Sequence, residues 1–180
     1  MKKIKIFPVV ALVSLFFFVA CDDDLLDVTE SFTFETEFVV FSGEPSYNDN
    51  RVVDLAQDQS LINQYGSKIK KIEVESVRYW LKAHEGSENQ LLEVLTLNVA
   101  DADGTDVKSI IQLENVVLAQ LLNNPTDLSL NSSGVSKLET LAQEPPHQFL
   151  YLLEATANEV PLDFTIVFEV TAKMTANPLN

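Results

Sequence analysis

Cysteine, histidine and glycine are all scarce in this chain. Its 180 residues include one cysteine, two histidines and five glycines. A single cysteine cannot form an internal disulfide bond, and one thiol with two imidazoles falls short of the four ligands of a structural zinc site. The glycines stand singly at positions 43, 66, 86, 104 and 134, so there is no glycine-rich loop of the kind that binds phosphates. No cofactor is expected.

Basic residues are also few, with 12 Lys and Arg against 27 Asp and Glu. Because nucleic acid would repel so acidic a chain, it is excluded as a partner. With 46% apolar residues and no visible repeat, the composition is that of a folded domain and excludes bulk disorder.

The N-terminus has the pattern of an export signal. Residues 1–5 contain three lysines, and residues 6–20 are uncharged and rich in Val, Leu and Phe. This apolar run is shorter than the roughly 20 residues that a membrane-spanning helix needs. A signal peptide over residues 1–20 is therefore favoured over an uncleaved membrane anchor.

The end of this segment identifies the type of signal. Phe18, Val19, Ala20 and Cys21 resemble the lipobox of bacterial lipoproteins, and Phe18 in place of the usual Leu is similar to the looser lipoboxes of Bacteroidota. The resemblance implies that Cys21 becomes the diacylated N-terminal residue. It therefore implies an acyl-anchored, palmitate-type lipoprotein of the outer membrane, and it covers residues 1–24 only.

Three aspartates follow the cysteine. Asp22, Asp23 and Asp24 resemble the acidic tag that directs Bacteroidota lipoproteins to the cell surface. The alternative is a solvated tether, because adjacent carboxylates repel one another. Under either interpretation residues 21–27 form an acidic lipidated tether and residues 28–180 a single domain. Loss of residues 1–20 leaves 9 basic and 27 acidic residues, a net charge of −18, so only the acyl chains would hold the protein at the membrane.

Beyond the tether, alternating apolar residues predict β-strands. The clearest alternation lies in the last strand, and another lies between Glu30 and Phe41. Between Ile69 and Ala83 the apolar set changes phase near Ser76, which predicts a β-bulge. The apolar positions of the first and last strands are Phe32, Phe34, Phe38, Val40, Leu162, Phe164, Ile166, Phe168, Val170, Ala172 and Met174.

Six or seven strands predict a mainly β fold, a two-layer antiparallel β-sandwich with two short peripheral helices. An immunoglobulin-like strand order is one option, and a closed barrel is the alternative. The helices are predicted after Asn50, as a cap, and from Ser133 to the prolines at 145 and 146. Across residues 158–161 the last strand is expected to pair with its predecessor.

A search for catalytic or metal-binding patterns is largely negative. His84 and His147 belong to no hydrolase or metalloprotease motif and are interpreted as loop-edge residues. Asp101, Asp103 and Asp106 could supply oxygen ligands to Ca²⁺, but their spacing fails the EF-hand pattern. A polar hairpin turn is favoured there, and neither a metal site nor an enzyme is expected.

Trp80 is the one candidate binding residue. It should face away from Tyr79 on the same strand, beside Arg78 and Lys82, where its ring could stack on a sugar or a partner protein. The alternative is that the ring is buried.

The leading hypothesis for the function of the chain is a non-enzymatic, lipid-anchored binding or accessory module of the envelope or cell surface, for a protein or a glycan. The alternatives are a surface carbohydrate-processing accessory or glycosidase, and a fimbrial or surface structural subunit.

Overall fold

The computed structural model of the protein describes residues 26–179, which form eight strands and four short helices. In chain order these elements are β1 (Val28–Ser42), β2 (Ser46–Asp54), α1 (Leu55–Asp58), α2 (Ser60–Tyr65), β3 (Ile69–His84), β4 (Leu91–Ala100), β5 (Lys108–Val117), α3 (Leu118–Leu121), β6 (Thr126–Asp127), α4 (Ser132–Gln143), β7 (Gln148–Ala157) and β8 (Leu162–Ala176).

The strands form two antiparallel four-stranded sheets that pack as a sandwich, as predicted. Sheet A has the order β1-β8-β3-β6, and sheet B has the order β2-β7-β4-β5. The first strand therefore pairs with the last, the second with the seventh, the third with the sixth and the fourth with the fifth. This nested set of pairs is the strand arrangement of a jelly roll.

Two finer expectations about topology were wrong. The strand order is neither immunoglobulin-like nor that of a closed barrel, because two separate sheets contain the nested pairs. In addition, β8 pairs with β1 and β3 and not with its predecessor β7. Residues 158–161 cross from one sheet to the other, which a turn between adjacent strands would not do.

The alternation in the first and last strands is confirmed. The predicted apolar positions of β1 and β8 are all buried, and the two strands pair over their whole length without a register shift. Aromatic rings join the two layers and also neighbouring strands. Phe34 of sheet A and Phe149 of sheet B lie 6.2 Å apart between centroids, and Phe38 of β1 and Phe168 of β8 lie edge-on at 6.2 Å. Burial of each such side chain contributes about 1.5–3 kcal/mol.

The phase change in β3 is also confirmed as a β-bulge. The register with β8 shifts between Val74 and Ser76, and further shifts lie between Ile69 and Lys71 and between Leu81 and Ala83. The last of these leaves Lys82 as the extra residue. Tyr79 and Leu81 stay in the core, and the residues on either side of them face outward.

The helices differ from the prediction in their number and in where the first one begins. Four short helices occur within residues 26–179, where two were predicted. Residues that were expected to begin a helix at Asn50 lie in β2, and the first helical turn begins later, with Asp54 as its cap accepting a hydrogen bond from the Gln57 backbone N–H at 3.0 Å. The second predicted helix is α4, capped by Asn131. No helix within residues 26–179 is long and apolar enough to cross a membrane.

The two ends of the sandwich differ in what they carry. At one end, here called the Val28 end, Val28 and Ile69 both pair with Ala176. Asp27, predicted to belong to the tether, is fixed there because the Lys70 ammonium lies 2.9 and 3.0 Å from its two carboxylate oxygens. The opposite end, here called the Gln90 end, carries the loops that join β1 to β2, β3 to β4, β5 to β6 and β7 to β8.

Gln90 links these loops. Its side chain is 2% exposed, and its amide nitrogen donates to the carbonyl oxygens of Glu159 at 3.0 Å and Pro161 at 2.9 Å. Since both contacts of that nitrogen are acceptors, the amide oxygen must accept from His84 Nε2, 2.9 Å away. The backbone carbonyl of Gln90 accepts from the Leu118 N–H. One buried amide therefore joins the β3–β4 loop to the β7–β8 loop.

Candidate functional site

The residues predicted to carry the lipid and the export tag lie outside the part of the chain that the structure describes. These are Cys21, Asp22, Asp23 and Asp24. Their roles stay predictions.

Both histidines have structural partners. His84 bonds to Gln90, as described above. His147 is buried, and its Nδ1 lies 2.9 Å from the Ala142 carbonyl oxygen near the end of α4. Its own carbonyl accepts from the Leu55 N–H at 3.0 Å. Within residues 26–179, neither imidazole is hydrogen-bonded to a serine, as the base of a serine hydrolase would be.

The acidic turn after β4 holds an ammonium group. Lys137 of α4 lies 2.7 Å from an oxygen of Asp101 and 2.8 Å from an oxygen of Asp106. These hydrogen bonds raise the pKa of Lys137 and lower the pKa of Asp106. Asp103 instead accepts from the hydroxyl of Thr105 at 2.6 Å. No cluster of potential metal ligands occurs in the described part of the chain, and the turn fastens α4 to the sandwich.

Trp80 lies on the outward face of sheet A, where it is half-buried. It is in register with Val167 of β8, which in turn is in register with Glu37 of β1. Lys82 reaches across β8 to Glu37, at 2.7 Å, and to Glu35, at 3.6 Å. This ion pair and the indole flank Val167, which explains why a valine on an outward face is fully buried.

The charges beside Trp80 are paired with one another. Arg78 donates to Glu169 through Nε at 2.9 Å and also through its terminal nitrogen. The hydrogen bond to Glu37 raises the pKa of Lys82, and the hydrogen bond to Glu169 raises the pKa of Arg78. Both cations therefore stay charged and engaged at neutral pH.

Two apolar side chains project from the same face toward the Gln90 end. Phe41 is 75% exposed and Val39 is 58% exposed, although both belong to a regular strand. They are in register with Asp163 and Thr165. Together with Trp80 they form what is called here the Trp80 face, defined as Val39, Phe41 and Trp80 with the paired Arg78 and Lys82.

The outward face of sheet B carries a groove of about 390 Å³ across β2, β7 and β4. Asn48, Glu154 and Thr96 lie in register in one row across these strands. Ser46, Thr156 and Val94 form the next row toward the Gln90 end, and Asn50 and Leu152 form the row on the other side. This set is called here the sheet B groove.

The polar side chains of the sheet B groove have no partners within residues 26–179. No hydrogen bond or ion pair involves the side chains of Ser46, Asn48, Asn50, Thr96, Glu154 or Thr156. On the outward face of sheet A, by contrast, Thr33 lies 3.3 Å from Thr171 and the charges near Trp80 are paired. The two faces of the sandwich thus differ in how much hydrogen-bonding capacity they leave free.

Sequence reasoning found Trp80 but missed the sheet B groove. Its polar rows come from segments about 50 residues apart in the chain, so no motif unites them. Ser46 to Asn50 also have the composition of a loop, which hid the strand that supplies one wall.

Comparisons with known proteins add little to this picture. No protein-family model matches the chain, and no curated protein matches it. Among solved structures, one titled Turnip yellow mosaic virus is 10% identical with a TM-score of 0.43, over 98% of this chain and 88% of that chain. One titled Desmodium yellow mottle tymovirus is 9% identical with a TM-score of 0.40, over 83% and 88% of the two chains. The decameric BFDV capsid protein is 11% identical with a TM-score of 0.40, over 83% and 98%. Likenesses this distant say nothing about what the chain binds.

Proposed function

We propose that the chain is a non-enzymatic lipoprotein, anchored in the outer membrane through acyl chains on Cys21 and displayed on the cell surface, that acts as a binding or accessory module for a protein or a glycan. The lipobox-like segment supports the anchor. The structural roles of His84, His147 and Lys137 support a function without catalysis.

The observation that carries the binding role is the exposure of Val39 and Phe41 beside Trp80. The sandwich buries its other phenylalanines within residues 26–179, so an exposed Phe near the end of edge strand β1 is not required by packing. Burying the remaining exposed surface of these two side chains against a partner would contribute about 2–4 kcal/mol before the costs of association. Aliphatic and aromatic contacts with a ring of charged residues are typical of a protein-binding surface.

The anchor is tested by protease treatment of intact cells, with a Cys21→Ala variant as the unlipidated control. We expect the native protein to incorporate labelled palmitate and to be degraded on unbroken cells, and the variant to lose the label. A native protein that carries no label would contradict the anchor. A labelled protein that is protected until the outer membrane is opened would contradict surface display.

The binding surface is tested by photo-crosslinking in cells. A photoreactive phenylalanine analogue at position 41 should yield discrete crosslinked products. The matched control is position 52, because Val52 is also an exposed strand residue, at 63%, but lies on sheet B. Equal products at both positions, or none at position 41, would contradict a protein-binding Trp80 face.

The non-enzymatic role is tested by assaying the purified chain against ester, peptide and glycoside substrates. Turnover of any of them would contradict that role.

A further inference from the structure

We infer that the sheet B groove is a binding site for an uncharged glycan. The inference rests on the proposed function only in taking the chain as a binding module, and it concerns the face of the sandwich opposite Trp80. It is carried by three properties of the groove: the alignment of its polar side chains, their lack of partners, and its charge.

The alignment gives a ligand several contacts at once. Asn48, Glu154 and Thr96 are direct neighbours across three strands, and Ser46 and Thr156 are direct neighbours in the next row. Strands lie about 4.8 Å apart, and successive residues on one face of a strand lie about 7 Å apart. The polar groups therefore cover roughly 10 Å by 14 Å, an area suited to a short stretch of an oligosaccharide.

The free hydrogen-bonding capacity matches a polyol. Asn48 and Asn50 each offer an amide donor and acceptor, Thr96 and Thr156 offer hydroxyls, and Glu154 offers two acceptor oxygens. Sugar hydroxyls both donate and accept, so they can pair with every one of these groups. None of them must first break a bond within residues 26–179, which removes one cost of binding.

The charge of the groove selects against other ligands. Among residues 26–179, no Lys, Arg or His lines it, so an anion would meet Glu154 without a compensating cation. Asp49, the other lining carboxylate, already binds Arg51 at 3.0 Å and lies 3.3 Å from the hydroxyl of Tyr47. A single free carboxylate is too few for a divalent cation, which takes several oxygen ligands.

The apolar residues of the groove fit the same ligand class. Leu152 and Val94 lie among the polar side chains and can contact the C–H faces of a sugar ring. With only one free carboxylate, the groove also lacks the pair that hydrolysis of a glycosidic bond requires. The arrangement therefore supports binding of the glycan and not its cleavage.

The test is affinity electrophoresis of the full-length chain, purified in non-ionic detergent. The strongly acidic protein migrates in native gels that contain starch, mixed-linkage β-glucan, mannan or xylan. We expect at least one of these neutral polysaccharides to retard it and polygalacturonate, an anionic control, not to do so. Glu154→Ala and Asn48→Ala should weaken the retardation roughly tenfold or more in apparent affinity. Both side chains are exposed and unpartnered, so the variants should fold normally.

Asn63→Ala, at an exposed position of α2 outside both candidate surfaces, is the matched control and should leave the retardation unchanged. Trp80→Ala on the opposite sheet is measured beside it. Absence of retardation by all four neutral polysaccharides would overturn the inference, as would retardation that survives both groove substitutions. Retardation lost in Trp80→Ala but kept in the groove variants would overturn it too, while leaving the proposed binding role intact. The result does not depend on the outcome for the lipid anchor.

Discussion

The Cα of Gly134 in α4 faces the backbone of Ser109 in β5 so closely that a Cβ at position 134 would lie 2.1 Å from the Ser109 carbonyl oxygen. The nearest carbon of that backbone would lie at 2.5 Å. The helix can therefore lie this close to the edge of sheet B because position 134 has no side chain. The same helix carries Lys137 to the acidic turn after β4.

We expect Gly134→Ala to destabilise the protein by about 1–3 kcal/mol, because either the helix or the strand backbone must move. This is opposite to the gain of up to about 1 kcal/mol that alanine gives in an unconstrained helix. Urea denaturation is the measurement, with Ser136→Ala in the same helix, at an exposed position, as the control. A stability equal to or above wild type for Gly134→Ala would contradict the close packing.

Removal of the Gln90 side chain should loosen the end of the sandwich that carries four loops. Gln90→Ala loses two bonds to backbone carbonyls and one to His84, and it leaves those groups unpaired. We expect a loss of about 2–4 kcal/mol in the free energy of unfolding. Gln112→Ala, on an exposed position of β5, should stay within about 0.5 kcal/mol of wild type. Equal effects of the two substitutions would show that the Gln90 bonds contribute nothing.

The hydroxyl of Tyr151 is buried between the sheets and has no hydrogen-bond partner among the described residues. Burial raises the pKa of this phenol. Because an unpaired buried hydroxyl costs about 1–3 kcal/mol, Tyr151→Phe should stabilise the protein by an amount of that order. Tyr47→Phe is the contrasting variant, because the Tyr47 hydroxyl lies 3.2 Å from the Val39 carbonyl oxygen, and its loss should be destabilising. A destabilised Tyr151→Phe would mean that the hydroxyl is bonded to a buried water.

Lys137→Met should lower stability in a pH-dependent way. The pKa of Asp106 is lowered by its bonds to Lys137 and Lys108. The ionised Asp106 side chain therefore adds to the free energy of unfolding above about pH 4, and this contribution is lost as pH falls through the lowered pKa. The pKa of Lys137 is raised, so its contribution is present below about pH 10 and is lost as pH rises through the raised value.

Thermal unfolding across this pH range should therefore show the largest difference in melting temperature between wild type and Lys137→Met near neutral pH. The difference should become smaller at both low and high pH. Lys108→Met is the control, because among the described residues Lys108 binds only Asp106, at 3.1 Å, and its loss should lower the melting temperature by less. A difference that is constant with pH would assign the effect to packing of the lysine stem and not to its charge.

The buried face of each strand could be predicted from the sequence because successive side chains of a strand point to opposite faces, so burial alternates along a short stretch of residues. The alternating residues of β8 and the bulge near Ser76 were correctly predicted for this reason. The partner of β8 could not be predicted in the same way, because β1 and β8 come from opposite ends of the chain and no turn fixes their register. An expectation based on neighbouring strands therefore chose β7 wrongly.

The candidate sites likewise divide into features that local alternation predicts and features that depend on which strands pair. Trp80 was placed next to Arg78 and Lys82 from alternation alone, and the structure has it on that outward face, half-buried. The exposure of Phe41 and the row of Asn48, Glu154 and Thr96 depend on which strands become neighbours. These features are visible only once the sheet order is known.

The pairing of the first strand with the last also has a consequence for how the chain folds. The hydroxyls of Thr29 and Thr175 lie 3.4 Å apart although 146 residues separate them in the sequence. Contacts of such long range make folding slow, on the order of milliseconds to seconds. During synthesis, sheet A lacks its second strand until β8 has emerged, since β8 alone joins β1 to β3. A chain truncated before Leu162 would leave both strands with open edges, and we expect it to aggregate and not to fold.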